Sequence, residues 1–129
     1  MRQNDKELLI RDLCARLPYG VIVHLEYDEN TSVTREMGLG SLHDIMFDSA
    51  EGKPYLRPMS SMTEEEIIEL NNIPSTKNYT IIKDDLPWDI AIYKQIDWLN
   101  AHHFDYCGLI EKGLAIAVTA ENNPYKLEE

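Results

Sequence analysis

Six consecutive positions carry the densest set of reactive side chains: His102-His103-Phe104-Asp105-Tyr106-Cys107. Two imidazoles, a carboxylate and a thiol are all metal donors. His with Asp is also the base and orienter of a nucleophile, a part open to Cys107 or to Ser60 and Ser61. Spacing argues against both chemistries. Zinc ligands come in pairs separated by a few residues, and adjacent imidazoles at a helix end do not turn readily onto one ion. A metal site would need His24 or His43 to complete it. No Gly-x-Ser-x-Gly elbow and no papain-like or caspase-like flank is present. The reading is therefore that His102 and His103 finish a helix, where a partly charged imidazole suits the negative end of the dipole. Asp105 then caps a second, short helix. No catalytic residue, metal or cofactor is expected.

A second candidate is the segment 53–62, KPYLRPMSSM. Tyr55, Leu56, Arg57 and Met59 are of the types enriched in protein interfaces. The competing and preferred reading packs Tyr55, Leu56 and Met59 under a sheet. Elsewhere the signals are weak. Gly38-x-Gly40 lacks a third glycine and reads as a turn. Acid runs such as Glu64-Glu65-Glu66 and Asp84-Asp85 read as solvated faces. A helix-turn-helix reading of 89–113 fails on charge, because its second helix offers Lys112 against Asp105 and Glu111.

Charge narrows the partners. Among 129 residues there are 12 bases and 23 acids, a formal net of −11. Phosphate backbones and anionic membranes both select cations, so neither is an expected partner. The only basic stretch is residues 1–20, with four bases and three acids. There Arg2, Lys6, Arg11 and Arg16 read as the solvated face of a helix. Two cysteines make no disulfide framework, and Cys14 reads as a small buried apolar side chain. The first residues lack an apolar signal-peptide core, and no apolar run approaches the ~18 residues of a membrane span. The expected location is the cytoplasm.

The elements that would position these residues follow from periodicity. Residues 4–17 form an amphipathic helix capped by Asn4 or Asp5, with Leu9, Leu13 and Leu17 every fourth residue. Residues 21–27 alternate as a half-buried strand, with Val21, Val23, Leu25 and Tyr27 on one face. A turn at 28–30 leads to a weaker strand at 31–37, and a third strand is read at 41–48. Glu51-Gly52-Lys53-Pro54 reads as a turn and 53–62 as an extended connector. Thr63 with Glu66 forms a capping box for a helix to about Asn72. A short strand at 79–83, a loop at 84–88, a helix at 89–102, a short helix at 106–112 ended by Gly113, and a closing strand at 114–118 complete the order. The expectation is one α+β domain, residues 1–120, with an N-terminal helix, a small antiparallel sheet, C-terminal helices and a closing strand. Residues 121–129 read as a frayed tail.

Three stretches carry a resemblance: 11–21 (RDLCARLPYGV), 53–66 (KPYLRPMSSMTEEE) and 96–116 (IDWLNAHHFDYCGLIEKGLAI). They resemble a group of small proteins encoded by bacterial prophages and related mobile elements. The resemblance implies a setting, that of an accessory phage or mobile-element protein in the host cytoplasm. It implies no activity, cofactor or site residue. Three functions follow as expectations: a non-enzymatic protein that binds another protein, an acidic mimic of nucleic acid that inhibits a host defence protein, and a small hydrolase or metal protein using 102–107.

Overall fold

The computed structural model describes residues 3–73 and 87–125. These residues form an α+β domain with an N-terminal helix, a mixed sheet of five described strands and helices set between the strands. The strand read at 79–83 and the loop residues 84–86 lie outside the described residues.

Helix α1 (Gln3–Arg16) lays Leu9 and Leu13 into the core. Asn4 and Asp5, expected as its cap, sit inside its first turn. Cys14 is exposed, which corrects its reading as a buried apolar side chain. Arg16 is wholly buried, which corrects its reading as part of a solvated face. Both corrections follow from helix geometry. Positions 9, 12, 13 and 16 fall on one stripe, and Cys14 falls off it.

Strand β1 (Ile22–Asp28) pairs antiparallel with β2 (Thr31–Glu36), the edge strand among the described residues. Val21, Val23 and Leu25 are buried as alternation predicts, while every residue of β2 is exposed. The segment read as a third strand is instead helix α2 (Leu39–Met46), with Gly38 extended at its N-cap. Leu42 and Ile45 are buried, three residues apart, a helical spacing that the poor alternation of 41–48 conceals.

The supposed turn and connector form strand β3 (Glu51–Pro58), the middle of the sheet. Two local features allow it. Ile45 Cδ1 would stand 2.5 Å from a Cβ at Gly52, so α2 lies against the strand where no side chain intervenes. Pro54 stands opposite Val23. The Val21 carbonyl accepts from the Met37 N–H (2.8 Å), so odd-numbered backbone groups of β1 face β2 and even-numbered ones face β3. Pro54 therefore occupies a non-bonded pair with β1, where its missing N–H is not required.

Helix α3 (Glu64–Asn71) begins with the expected capping box of Thr63 and Glu66. Helix α4 (Pro87–Ala101) feeds β4 (Phe104–Asp105), which runs parallel to β3. Strand β5 (Ile116–Ala117) is also parallel to β3, so the sheet is mixed and not the purely antiparallel one expected. The connection through α3 and α4 is the physical reason, since parallel neighbours need a long crossover. Residues 106–112 form no regular helix. Gly108 and Gly113 both adopt positive φ (77° and 76°), and the chain between them winds as turns. Within the segment read as a tail, the Ile22 N–H donates to the Tyr125 hydroxyl (3.0 Å), which donates to Tyr55 O (2.6 Å). No described helix is long and apolar enough to cross a membrane.

Candidate functional site

The residues of 102–107 leave α4 on a left-handed turn. His103 has φ 65° and its N–H donates to Asn100 O (3.1 Å). From there each side chain takes a different direction. His102 stacks on Trp98 at 4.0 Å, and its Nδ1–H donates to Trp98 O (2.9 Å). His103 stacks on Tyr125 at 3.8 Å and 9°. Burial, and then the Arg16 guanidinium, push its imidazole down to about 4, so it is neutral near pH 7. That corrects the expectation of a partly charged imidazole at the helix end for His103.

Asp105 is buried, and its two carboxylate oxygens accept the Leu109 and Ile110 N–H groups, each at 2.9 Å. It acts as a cap, as expected, but of a turn. Tyr106 donates its hydroxyl to Asn100 Oδ1 (2.8 Å). Cys107 is exposed at the surface, and its thiol is raised by partial desolvation and by the Asp12 carboxylate, the direction opposite to activation. His24 faces Thr34 Oγ1 (2.9 Å) and Glu26, and His43 lies against Phe47. Ser61 donates to Pro58 O. Among the described residues, no three His, Cys, Asp or Glu side chains gather as metal ligands.

What does converge is Phe104, and on it two arginines. The buried Arg16 donates Nε–H to Asp12 Oδ2 (2.7 Å) and Nη2–H to Phe104 O (2.6 Å). Arg57 sits over the Phe104 ring at 4.0 Å and holds Glu66 bidentately at 2.8 and 2.7 Å. The Arg57 guanidinium holds the Glu66 carboxyl down at about 2. Arg16 is the residue that sequence reasoning missed. Its signal was the Asp12–Arg16 spacing of four, set among Leu9 and Leu13 on the apolar stripe.

The interface candidate 55–59 is dispersed by the same arrangement. Leu56 is in the core, Tyr55 gives its carbonyl to Tyr125, Arg57 is taken up by Glu66 and Phe104, and Met59 is exposed. Other exposed apolar side chains stand on α2 and the residue after it, where Leu39 is 73% and Phe47 64% exposed and Met46 is exposed too, and on α3, where Ile67 and Ile68 are exposed. Next to α2 opens a hollow of about 630 Å³, lined by Glu26, Asp28, Glu29, Asp48 and Glu51. Lys6, the one base that lines it among the described residues, is tied to Asp48 (2.8 Å). The Tyr27 hydroxyl donates to Asp44 Oδ2 (2.8 Å) and ties the β1–β2 hairpin to α2. No family model, curated protein or solved structure matches this chain.

Proposed function

We propose that this protein acts by binding another protein and carries no reaction of its own. The observation that supports this is the outer side of α2 and the residue after it, where Leu39, Met46 and Phe47 stand exposed at helical spacing, Phe47 touching the ring of His43. Large side chains exposed together in this way mark interaction surfaces. By contrast, the side chains best suited to chemistry have structural work: Asp105 caps, His103 and His102 stack, and Arg16 holds β4. The resemblance to prophage-encoded proteins supplies the setting, an accessory protein of a phage or mobile element in the host cytoplasm. Acids flanked by apolar side chains favour a protein surface over a mimic of nucleic acid, which needs charge without exposed hydrocarbon.

The test is retention of host proteins on the immobilised chain, beside a Leu39→Ser/Phe47→Ser variant with an unchanged melting curve. A protein retained by the natural chain and lost by the variant is the expected result. The same set on both, or nothing on either, overturns the reading.

A further inference from the structure

We propose that the acidic hollow and the outer face of α2 together dock a basic amphipathic segment, one that presents Lys or Arg beside an apolar anchor. This deepens the protein-binding reading above and rests on it.

The hollow is built by elements that are distant in sequence. β1 supplies Glu26 and Asp28, the following turn Glu29, the turn after α2 Asp48, and β3 Glu51. Glu26 and Glu51 are direct partners across the β1–β3 ladder. Like charges placed opposite each other in a sheet repel and destabilise it. His24 Nε2 stands 3.4 Å from Glu26 Oε2, and a cation seated between the two glutamates relieves the repulsion that remains.

A second, more apolar hollow of about 540 Å³ adjoins the first and shares Gln3 and Lys6 with it. Ile10, Cys14 and Met46 line its apolar part and Glu7 and Arg11 its polar part, so the apolar anchor sits here, against Met46 of the α2 face, and the cations of the segment sit in the first hollow. The Lys6–Asp48 bridge stands between the two. Its Asp48 end is open to water, 79% accessible, while Lys6 is 23% accessible. Exposed pairs of this kind are weak, so an incoming cation displaces Lys6 from Asp48 at little cost.

Charge selects the occupant. A second copy would bring its own −11 and the same carboxylates to the contact. Nucleic acid and anionic lipid are repelled for the same reason. A neutral apolar segment would desolvate the carboxylates without pairing them. A basic segment places its cations among the carboxylates of the first hollow and its one apolar anchor in the second, clear of Arg11.

The experiment titrates the isotope-labelled chain with a peptide of leucine and lysine patterned as an amphipathic helix. The controls are its glutamate-for-lysine counterpart and a lysine homopolymer of the same length. The expected result is saturable binding, with NMR shifts confined to 26–29, 43–52 and the facing part of α1, and weakening with salt. Glu51→Lys and Phe47→Ser should each weaken it about tenfold. Glu51→Lys should also raise the melting temperature, which separates lost recognition from lost fold. Equal binding of the lysine homopolymer, indifference to Phe47→Ser, equal binding of the glutamate peptide, or no binding each overturns the inference. The lysate comparison is independent of these outcomes. A host protein lost from Leu39→Ser/Phe47→Ser while the peptides fail leaves protein binding standing and removes only the basic partner.

Discussion

Two arginines flank Phe104, and they are held in opposite ways. Arg16 is 0% exposed, bound to a carboxylate one helical turn away and to a backbone carbonyl from the far end of the chain. Arg57 keeps contact with water and bonds a helix cap. Each faces a carboxylate at 2.7 Å, yet the two acids shift in opposite directions. Burial pushes the Asp12 carboxyl above its ordinary range despite Arg16, whereas Arg57 pulls Glu66 down to about 2. Solvent decides the sign. Near water, the hydrogen bonds to Arg57 outweigh the loss of hydration, and in the core they do not. The Arg16 pair therefore specifies where β4 docks, at a cost, while the Arg57 pair tethers α3 to the sheet.

The largest effect expected from breaking this contrast is at Arg16. Arg16→Met leaves Asp12 charged and buried and removes the donor to Phe104 O, so the loss should be about 3–5 kcal/mol in urea unfolding. Asp12→Leu combined with Arg16→Met should recover most of it, because a packed apolar pair has no charge to desolvate. Asp12 Oδ1 and Arg16 Nη1 already lack partners among the described residues, so the pair is far from fully satisfied. A double variant as unstable as the single one would mean that the bond to Phe104 O, and not charge compensation, dominates.

The next effect concerns Tyr125, which stacks on His103 near the same centre. The registers Val23↔Pro54 and His24↔Lys53 would bring Ile22 opposite Tyr55. The Tyr125 hydroxyl occupies that rung, accepting from Ile22 N–H and donating to Tyr55 O. Tyr125→Phe unpairs both groups and should cost about 1–3 kcal/mol, with faster hydrogen exchange at Ile22. Tyr125→Ala also exposes His103. The His103 pKa is lowered in the fold to about 4 from 6.5, so folding excludes its proton. Its contribution is complete above pH 6.5 and is lost as pH falls from 6.5 to about 4. In Tyr125→Ala the imidazole should titrate nearer its ordinary value, and an unmoved NMR titration would assign its desolvation to other neighbours.

These features differ in how far they could be read from sequence, and the dividing line is locality. The Thr63–Glu66 box, the alternation of β1 and the leucines of α1 are each decided within a few residues, and each was legible. α2 was not, because its two buried apolar residues sit in eight positions and mimic a weak strand as well as a weak helix. β3 was hidden by prolines, whose penalty depends on which way a missing N–H would point, a fact held by the neighbouring strand. Arg16 was hidden by its type, since a cation is assigned to water until a carbonyl 88 residues away is known to meet it. At the candidate site, the imidazoles of 102 and 103 were correctly placed at a helix end. That they serve two different aromatic rings was not legible from sequence.

The smallest effect sharpens the contrast from the exposed side. Arg57→Ala removes the bidentate bond to Glu66 and the cation over Phe104, and at neutral pH should cost about 1–2 kcal/mol. Its pH dependence is the discriminating part. Glu66 titrates at about 2 in the fold and at its ordinary 4.5 when unfolded. Its contribution is therefore complete above pH 4.5 and drains away as pH falls towards 2. The stability gap between the natural chain and Arg57→Ala should hold from pH 7 to 5 and narrow below it, leaving the part that belongs to Phe104, since a cation over a ring does not titrate there. The Arg16→Met gap obeys a different rule, because burial has raised the Asp12 carboxyl and a protonated Asp12 no longer needs its partner. That gap should begin to close at higher pH than the Arg57 gap does. If the two close together, the buried and exposed pairs share one electrostatic environment, and the difference in burial on either side of Phe104 has no energetic meaning.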